Sequence, residues 1–129
     1  MMAQDIDTRQ IIICDDDEDI LCFLGVLIRQ AGYVPLIARN LSDIYSYVDG
    51  YEPRLILLDI RMPETDGFEI AETLKRGGSR IPIIFLTAHD NKFSRLYSPT
   101  LGSVGYFTKP IDTDALLKRV AEILSESAA

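Results

Sequence analysis

The chain has 129 residues, 47% hydrophobic and 26% charged, with a net charge of −7. That length suits one domain with a real core, and the acidic balance argues against direct nucleic-acid binding, because phosphate contacts need Lys and Arg. No apolar stretch approaches the ~20 residues of a membrane span, and the opening MMAQDIDTRQ lacks a signal-peptide pattern.

The first apolar run, IIIC at 11–14, reads as a buried strand and releases into five acids, DDDED. Acids in a first helical turn are favoured by the helix dipole, which accounts for Asp17, Glu18 and Asp19. Asp15 and Asp16 lie at the strand tip and need another reason. Ile20, Leu24, Leu27, Ile28 and Ala31 form one face of a first helix ending at Gly32. Cys14 and Cys22 match neither CxxC nor a metal-ligand spacing, so both are expected to be reduced core residues of a cytoplasmic protein. A second strand is expected at 33–37, then a helix with Leu41, Ile44, Tyr45 and Val48 on its apolar face. A third strand, 55–59, ends in Asp59. Asp66-Gly67-Phe68-Glu69 opens the next helix as an acidic capping box, and Gly77-Gly78 stops it. The strand at 82–87 ends in Thr87. The following HDNKFSRLYSPTLGSVGY contains Pro99, which inside a helix would clash with the Arg95 carbonyl at a cost of about 3 kcal/mol. Helix four is therefore expected to end by Ser98 or bend there, leaving a loop through Gly102. A fifth strand, 104–108, leads to Lys109-Pro110. The last helix, after Asp112, shows Leu116, Val120, Ile123 and Leu124.

Strand and helix alternate five times, and the strands are continuous apolar runs. The fold class is α/β: a doubly wound, five-stranded parallel sheet covered on both faces by five helices. Sites in such sheets form beyond the carboxyl ends of the strands. There Asp15, Asp16, Asp59, Thr87 and Lys109 would converge. Each acid taken singly is an ordinary cap or turn residue; together they crowd. Two like charges ~4 Å apart repel by about 4 kcal/mol at an effective dielectric of 20, so three aspartates must raise their pKa values or take a cation. Mg²⁺, a hard ion with oxygen ligands, suits them. A carboxylate beside Mg²⁺, a hydroxyl and an ammonium suits phosphoryl transfer. His89, the single histidine, is not plausibly placed to supply the phosphoryl group and excludes a multi-histidine metal site.

With DDDED after strand one, LLDIRMPETDGFE, LTA and GYFTKP, in this order and spacing, the chain resembles a response-regulator receiver domain of two-component signalling, the chemotaxis-regulator-like family, from about Gln10 to Leu124. The resemblance implies the flavodoxin-like strand order 2-1-3-4-5 and one receiver domain over 1–129, core about 10–125; no effector domain is expected in this chain, which fits either a stand-alone receiver or a piece of a longer regulator or hybrid kinase. It implies that Asp59 is the phosphoacceptor for a histidine kinase or histidine phosphotransfer protein, with Thr87 and Lys109 contacting the phosphoryl group. Asp16, Asp59 and the Arg61 backbone carbonyl would hold Mg²⁺, for which Mn²⁺ can substitute, with Asp15 acting largely through water. Lys109-Pro110 would be cis, and Tyr106 would turn inward as the switch residue, altering an output face of helix four, strand five and helix five. Arg61 and His89 would tune dephosphorylation; His89 also reads as an ordinary loop residue, and Tyr106 as an ordinary strand tyrosine. Helix four is where the chain departs from the Ala/Leu-rich segment usual in relatives.

On this reading the protein is a cytoplasmic signalling module that catalyses only its own phosphorylation and dephosphorylation, with no membrane partner. Two other classes compete. An aspartyl-phosphate phosphohydrolase would carry a second acid two residues after the nucleophile, where this chain has Arg61. A phosphorylation-independent, receiver-like scaffold would have lost site residues, and all five are present.

Overall fold

The computed structural model describes residues 9–128; the opening segment read above for a leader pattern lies mostly outside them. Strands and helices alternate as β1 (Gln10–Cys14), α1 (Glu18–Gln30), β2 (Val34–Ala38), α2 (Leu41–Gly50), β3 (Pro53–Asp59), α3 (Gly67–Arg76), β4 (Ile83–Thr87), α4 (Lys92–Tyr97), β5 (Gly105–Thr108) and α5 (Thr113–Ala128). The five strands form one parallel sheet in the order β2-β1-β3-β4-β5. Each strand matches an expected apolar run to within one or two residues. β3 starts earliest against expectation, at Pro53, because a strand's first position tolerates a missing N–H. Pro35 lies inside β2, an edge strand, where the same tolerance holds.

The runs are continuous because both faces of the sheet are covered. Successive side chains alternate sides: Ile12, Cys14, Ile56, Leu58 and Phe85 pack with α2 and α3, while Ile11, Ile13, Leu55, Leu57 and Leu86 pack with α1 and α5. Burying one such side chain contributes about 1.5–3 kcal/mol, so this double layer dominates stability.

Helix starts follow local chemistry. Asp17 caps α1, accepting from the N–H groups of Asp19 (2.9 Å) and Ile20 (3.4 Å). Asp66 caps α3 through the Phe68 N–H at 2.7 Å; its reciprocal partner Glu69 makes no return bond among the described residues, so the box is half formed. Asn40 caps α2 and Asn91 caps α4.

Three expectations need correction. Tyr45 is exposed, whereas Tyr47 turns inward and donates its hydroxyl to the Ile37 carbonyl at 2.7 Å. Cys22 is exposed rather than core; only Cys14 is buried. The segment after α4 is not an open loop: α4 ends at Tyr97, and Ser98–Leu101 tightens into a single 3₁₀ turn. Pro99 fits there because the start of such a turn needs no N–H from it. Gly102 closes the turn at φ 76, a left-handed conformation that costs glycine nothing.

Candidate functional site

The carboxyl ends of β1, β3, β4 and β5 meet in one acidic cleft. Asp15 follows β1 directly and is fully buried; its Oδ1 accepts the Asp17 N–H at 3.0 Å. Asp59 is the last residue of β3 and only 3% exposed. Lys109, just past β5, reaches back between them, donating from Nζ to Asp15 at 2.8 Å and to Asp59 at 3.3 Å. Carboxylate oxygens of Asp15, Asp16 and Asp59 lie within 4.8 Å of one another, with Asp16 facing solvent.

Thr87 ends β4, one residue beyond the Leu86 that pairs with Asp59. It is buried; its carbonyl accepts the Lys109 N–H at 2.8 Å, and its Oγ accepts the His89 N–H at 2.9 Å. The Lys109-Pro110 bond is cis, as the motif implied. Arg61 and His89 are exposed at the rim, two residues beyond Asp59 and Thr87 respectively. Tyr106 stands apart. Half-buried in β5, it donates its hydroxyl to Asp90 rather than to any group of the cleft.

Burial and the nearby Asp15 charge push the Asp59 carboxyl up from 3.8 to about 7, although Lys109 works the other way. For Lys109, burial opposes the charge, but its bonds and attractions to Asp15 and Asp59 win and raise its pKa overall. Cys14 sits behind the cleft with its thiol pushed up to about 12 by burial and the surrounding acids, so it is no nucleophile. Three clustered carboxylates, one of them driven toward its neutral form, constitute a site built for positive charge. Oxygen-only donors of this kind match a hard divalent cation such as Mg²⁺ or Mn²⁺. A recess of about 190 Å³ opens beside Asp16, lined by Arg39, Asn40, Met62, Pro63, Glu64 and Thr65.

One positioning residue escaped the sequence reading. Gly67, at the start of α3, crosses directly over the end of β3: a Cβ there would sit 2.2 Å from the Asp59 carbonyl oxygen and 2.9 Å from Ile60 Cα. Its N–H donates to the Ile60 carbonyl at 2.7 Å. The Asp-Gly pair at 66–67 carried that signal, read there only as a helix cap.

The doubly wound sheet and its acidic, lysine-bridged cleft define a class of α/β proteins that work at the strand tips. Comparison with known proteins narrows the class: residues 11–121 match the response regulator receiver domain family, and the chain belongs to it. It is 31% identical over 119 residues to the alkaline phosphatase synthesis transcriptional regulatory protein PhoP of Bacillus subtilis strain 168, covering 92% of this chain and 50% of that protein. It is 35% identical over 118 residues to the phosphate regulon transcriptional regulatory protein PhoB of Pseudomonas aeruginosa PAO1, covering 90% of this chain and 52% of that one. The chain thus spans about half the length of the curated relatives it matches. The fold is shared with a CheY-like receiver domain protein from Methanospirillum hungatei JF-1, at TM-score 0.84 and 26% identity over 93% of this chain and 96% of that one. The protein is therefore a receiver domain of a two-component response regulator. Among the described residues no helix is long and apolar enough to cross a membrane.

Proposed function

We propose that Asp59 accepts a phosphoryl group from the phosphohistidine of a partner kinase or phosphotransfer protein, and that this modification switches the surface around α4 and β5. The observation carrying this reading is Lys109, whose ammonium bridges two buried carboxylates at 2.8 and 3.3 Å at the mouth of the sheet.

An Asp59 oxygen attacks phosphorus in line; a P–O bond forms as the donor's P–N bond breaks, and the leaving imidazole takes up a proton. Asp59 must be ionised to attack, and the ammonium beside it favours that form. Lys109 can then follow the transferred group's oxygens, while Thr87 is free to donate its hydroxyl hydrogen, since its bond to the His89 N–H uses only a lone pair. A divalent cation held by Asp16, Asp59 and the Arg61 carbonyl, with Asp15 acting through water, would supply further charge against those oxygens. Tyr106 is the residue we assign to the switch, and Arg61 and His89 flank the approach for the water that hydrolyses the acyl phosphate. No second acid stands at position 61, so a turnover phosphohydrolase is the weaker reading. Such a module works in the cytoplasm.

The test is incubation with acetyl phosphate, with Mg²⁺ or with a chelator, read by intact mass. One phosphoryl group per chain is expected, dependent on Mg²⁺ and lost in Asp59→Asn. An unlabelled parent, or an equally labelled Asp59→Asn, would sink the proposal.

A further inference from the structure

Three side chains outside the cleft lock onto one another: Tyr106, assigned above to the switch, and Asp90 and Arg95, to which neither the family match nor the proposed chemistry gives a role. Asp90 lies in the loop between β4 and α4, Arg95 in α4 and Tyr106 in β5. The Tyr106 hydroxyl donates to Asp90 Oδ1 at 2.9 Å. Arg95 donates to the other oxygen of the same carboxylate, from Nε at 3.0 Å and Nη2 at 2.5 Å. Its guanidinium also lies over the Tyr106 ring, 5.6 Å from the centroid. Each member thus touches both others. Beside them lies a recess of about 240 Å³, lined by Arg95, Ser98, Pro99, Ser103, Gly105 and Tyr106, while the ring also packs against the core.

We propose that Asp90, Arg95 and the Tyr106 hydroxyl form a latch that holds the β4–α4 loop against β5, so that Asp59 can be switched only as the latch opens. The proposal rests on the phosphoacceptor reading of Asp59 and adds the restraint that opposes it. Its mechanics come from the loop. Thr87 and Asp90 are three residues apart on one short segment, which begins in the cleft and ends at the Asn91 cap of α4. A pull on the Thr87 hydroxyl toward a group on Asp59 drags Asp90 with it, while the Tyr106 backbone is held in a paired strand and only its side chain can turn. Hydrogen bonds fail within a few tenths of an ångström, so small loop travel breaks the Asp90–Tyr106 contact. Asp90 and Arg95 are partly exposed, with side chains 31% and 59% accessible. Exposed ion pairs are weak, so the latch restrains the switch without blocking it.

The experiment titrates the intact protein with beryllofluoride in excess Mg²⁺, following β5 amide resonances, for the parent, Asp90→Ala, Arg95→Ala, Tyr106→Phe and Asp90→Ala/Tyr106→Phe. Each single change is expected to lower the half-saturating concentration by roughly 1.5- to fivefold, and the double variant to gain no more than either of its single changes. The charge signs make this discriminating. Asp90→Ala removes a negative charge and Arg95→Ala a positive one, so a simple field effect on an anion would move them in opposite directions, whereas a latch moves both the same way. Tyr106→Phe changes no charge and reports on the bond alone. Unchanged or opposite shifts in variants that keep the parent's thermal melt, with the parent itself saturating, overturn the latch alone. A parent that never responds to beryllofluoride overturns the phosphoacceptor reading, and the latch falls with it.

Discussion

At the cleft, Asp59 and Thr87 end inner strands paired on both sides, Asp15 directly follows a third, and all three are buried. On the α4–β5 flank the sheet ends in a four-residue edge strand that is half-buried along its length. The adjoining helix has only six residues, with Phe93 and Leu96 66% and 65% exposed. The chemistry proposed for Asp59 needs groups held to fractions of an ångström, which the inner strands supply. On the proposed reading, the surface that responds to Asp59 needs the opposite: few buried apolar contacts and bonds that open cheaply. One sheet meets both demands by placing them at its centre and its edge.

The difference can be broken most directly with glycines. Gly67→Ala drives a Cβ into the backbone behind Asp59, where neither side can give way. A loss of about 2–4 kcal/mol is expected from urea unfolding. Gly102→Ala, on the flank, meets only the flexible Lys75 Nζ at 4.0 Å and the strain of a positive φ, for which about 1–2 kcal/mol is expected. Equal losses would erase the contrast.

Protonation sharpens it next. Below pH 3.8 Asp59 is protonated whether folded or not; as pH rises, the unfolded chain releases that proton while the folded one keeps it to about pH 7. The parent without metal thus loses stability from this group across that window, and the loss levels off above it. Asn does not titrate, so Asp59→Asn should be the more stable protein at pH 8 by about 1–3 kcal/mol and nearly equal at pH 4. Thermal melts at both pH values check this, and added Mg²⁺ should narrow the gap by stabilising the parent more than the variant.

The smallest effect belongs to the join between the regions. Phe68 packs edge-on against Phe85 and Tyr97, with centroids 5.0 Å away in each case, and Tyr97 stacks on Phe93 at 5.3 Å. The Tyr97 hydroxyl donates to Glu72 of α3. Tyr97→Phe keeps the ring and removes that bond, so a cost of about 1 kcal/mol is expected. Amide exchange should quicken in α4 but not in β1 or β3.

The sheet and cleft were legible because their signals are local. Buried parallel strands advertise themselves as IIIC, LILLD and IIFLT, and polar residues at such strand ends stand out against them. Asp17 and Asp66 declare helix starts for the same reason. What stayed hidden depends on partners remote in sequence. Nothing near Tyr45 or Tyr47 says which faces Ile37, and Cys22 lies one position off the face that carries Leu21 and Leu24. The Tyr97–Glu72 and Tyr106–Asp90 bonds join residues 25 and 16 positions apart. Pro99 announced the end of α4, but not the tight turn that follows, since that turn is closed by Gly102.

The margins of the sheet carry a consequence of their own. β2 holds Pro35 on one border, and β5 offers four residues on the other. Neither makes a good template for an incoming extended peptide, which would need a run of free amide and carbonyl groups. Association of this protein with itself or with others should therefore proceed through helices and loops, and conditions that favour fibrous stacking should find little purchase on the native molecule.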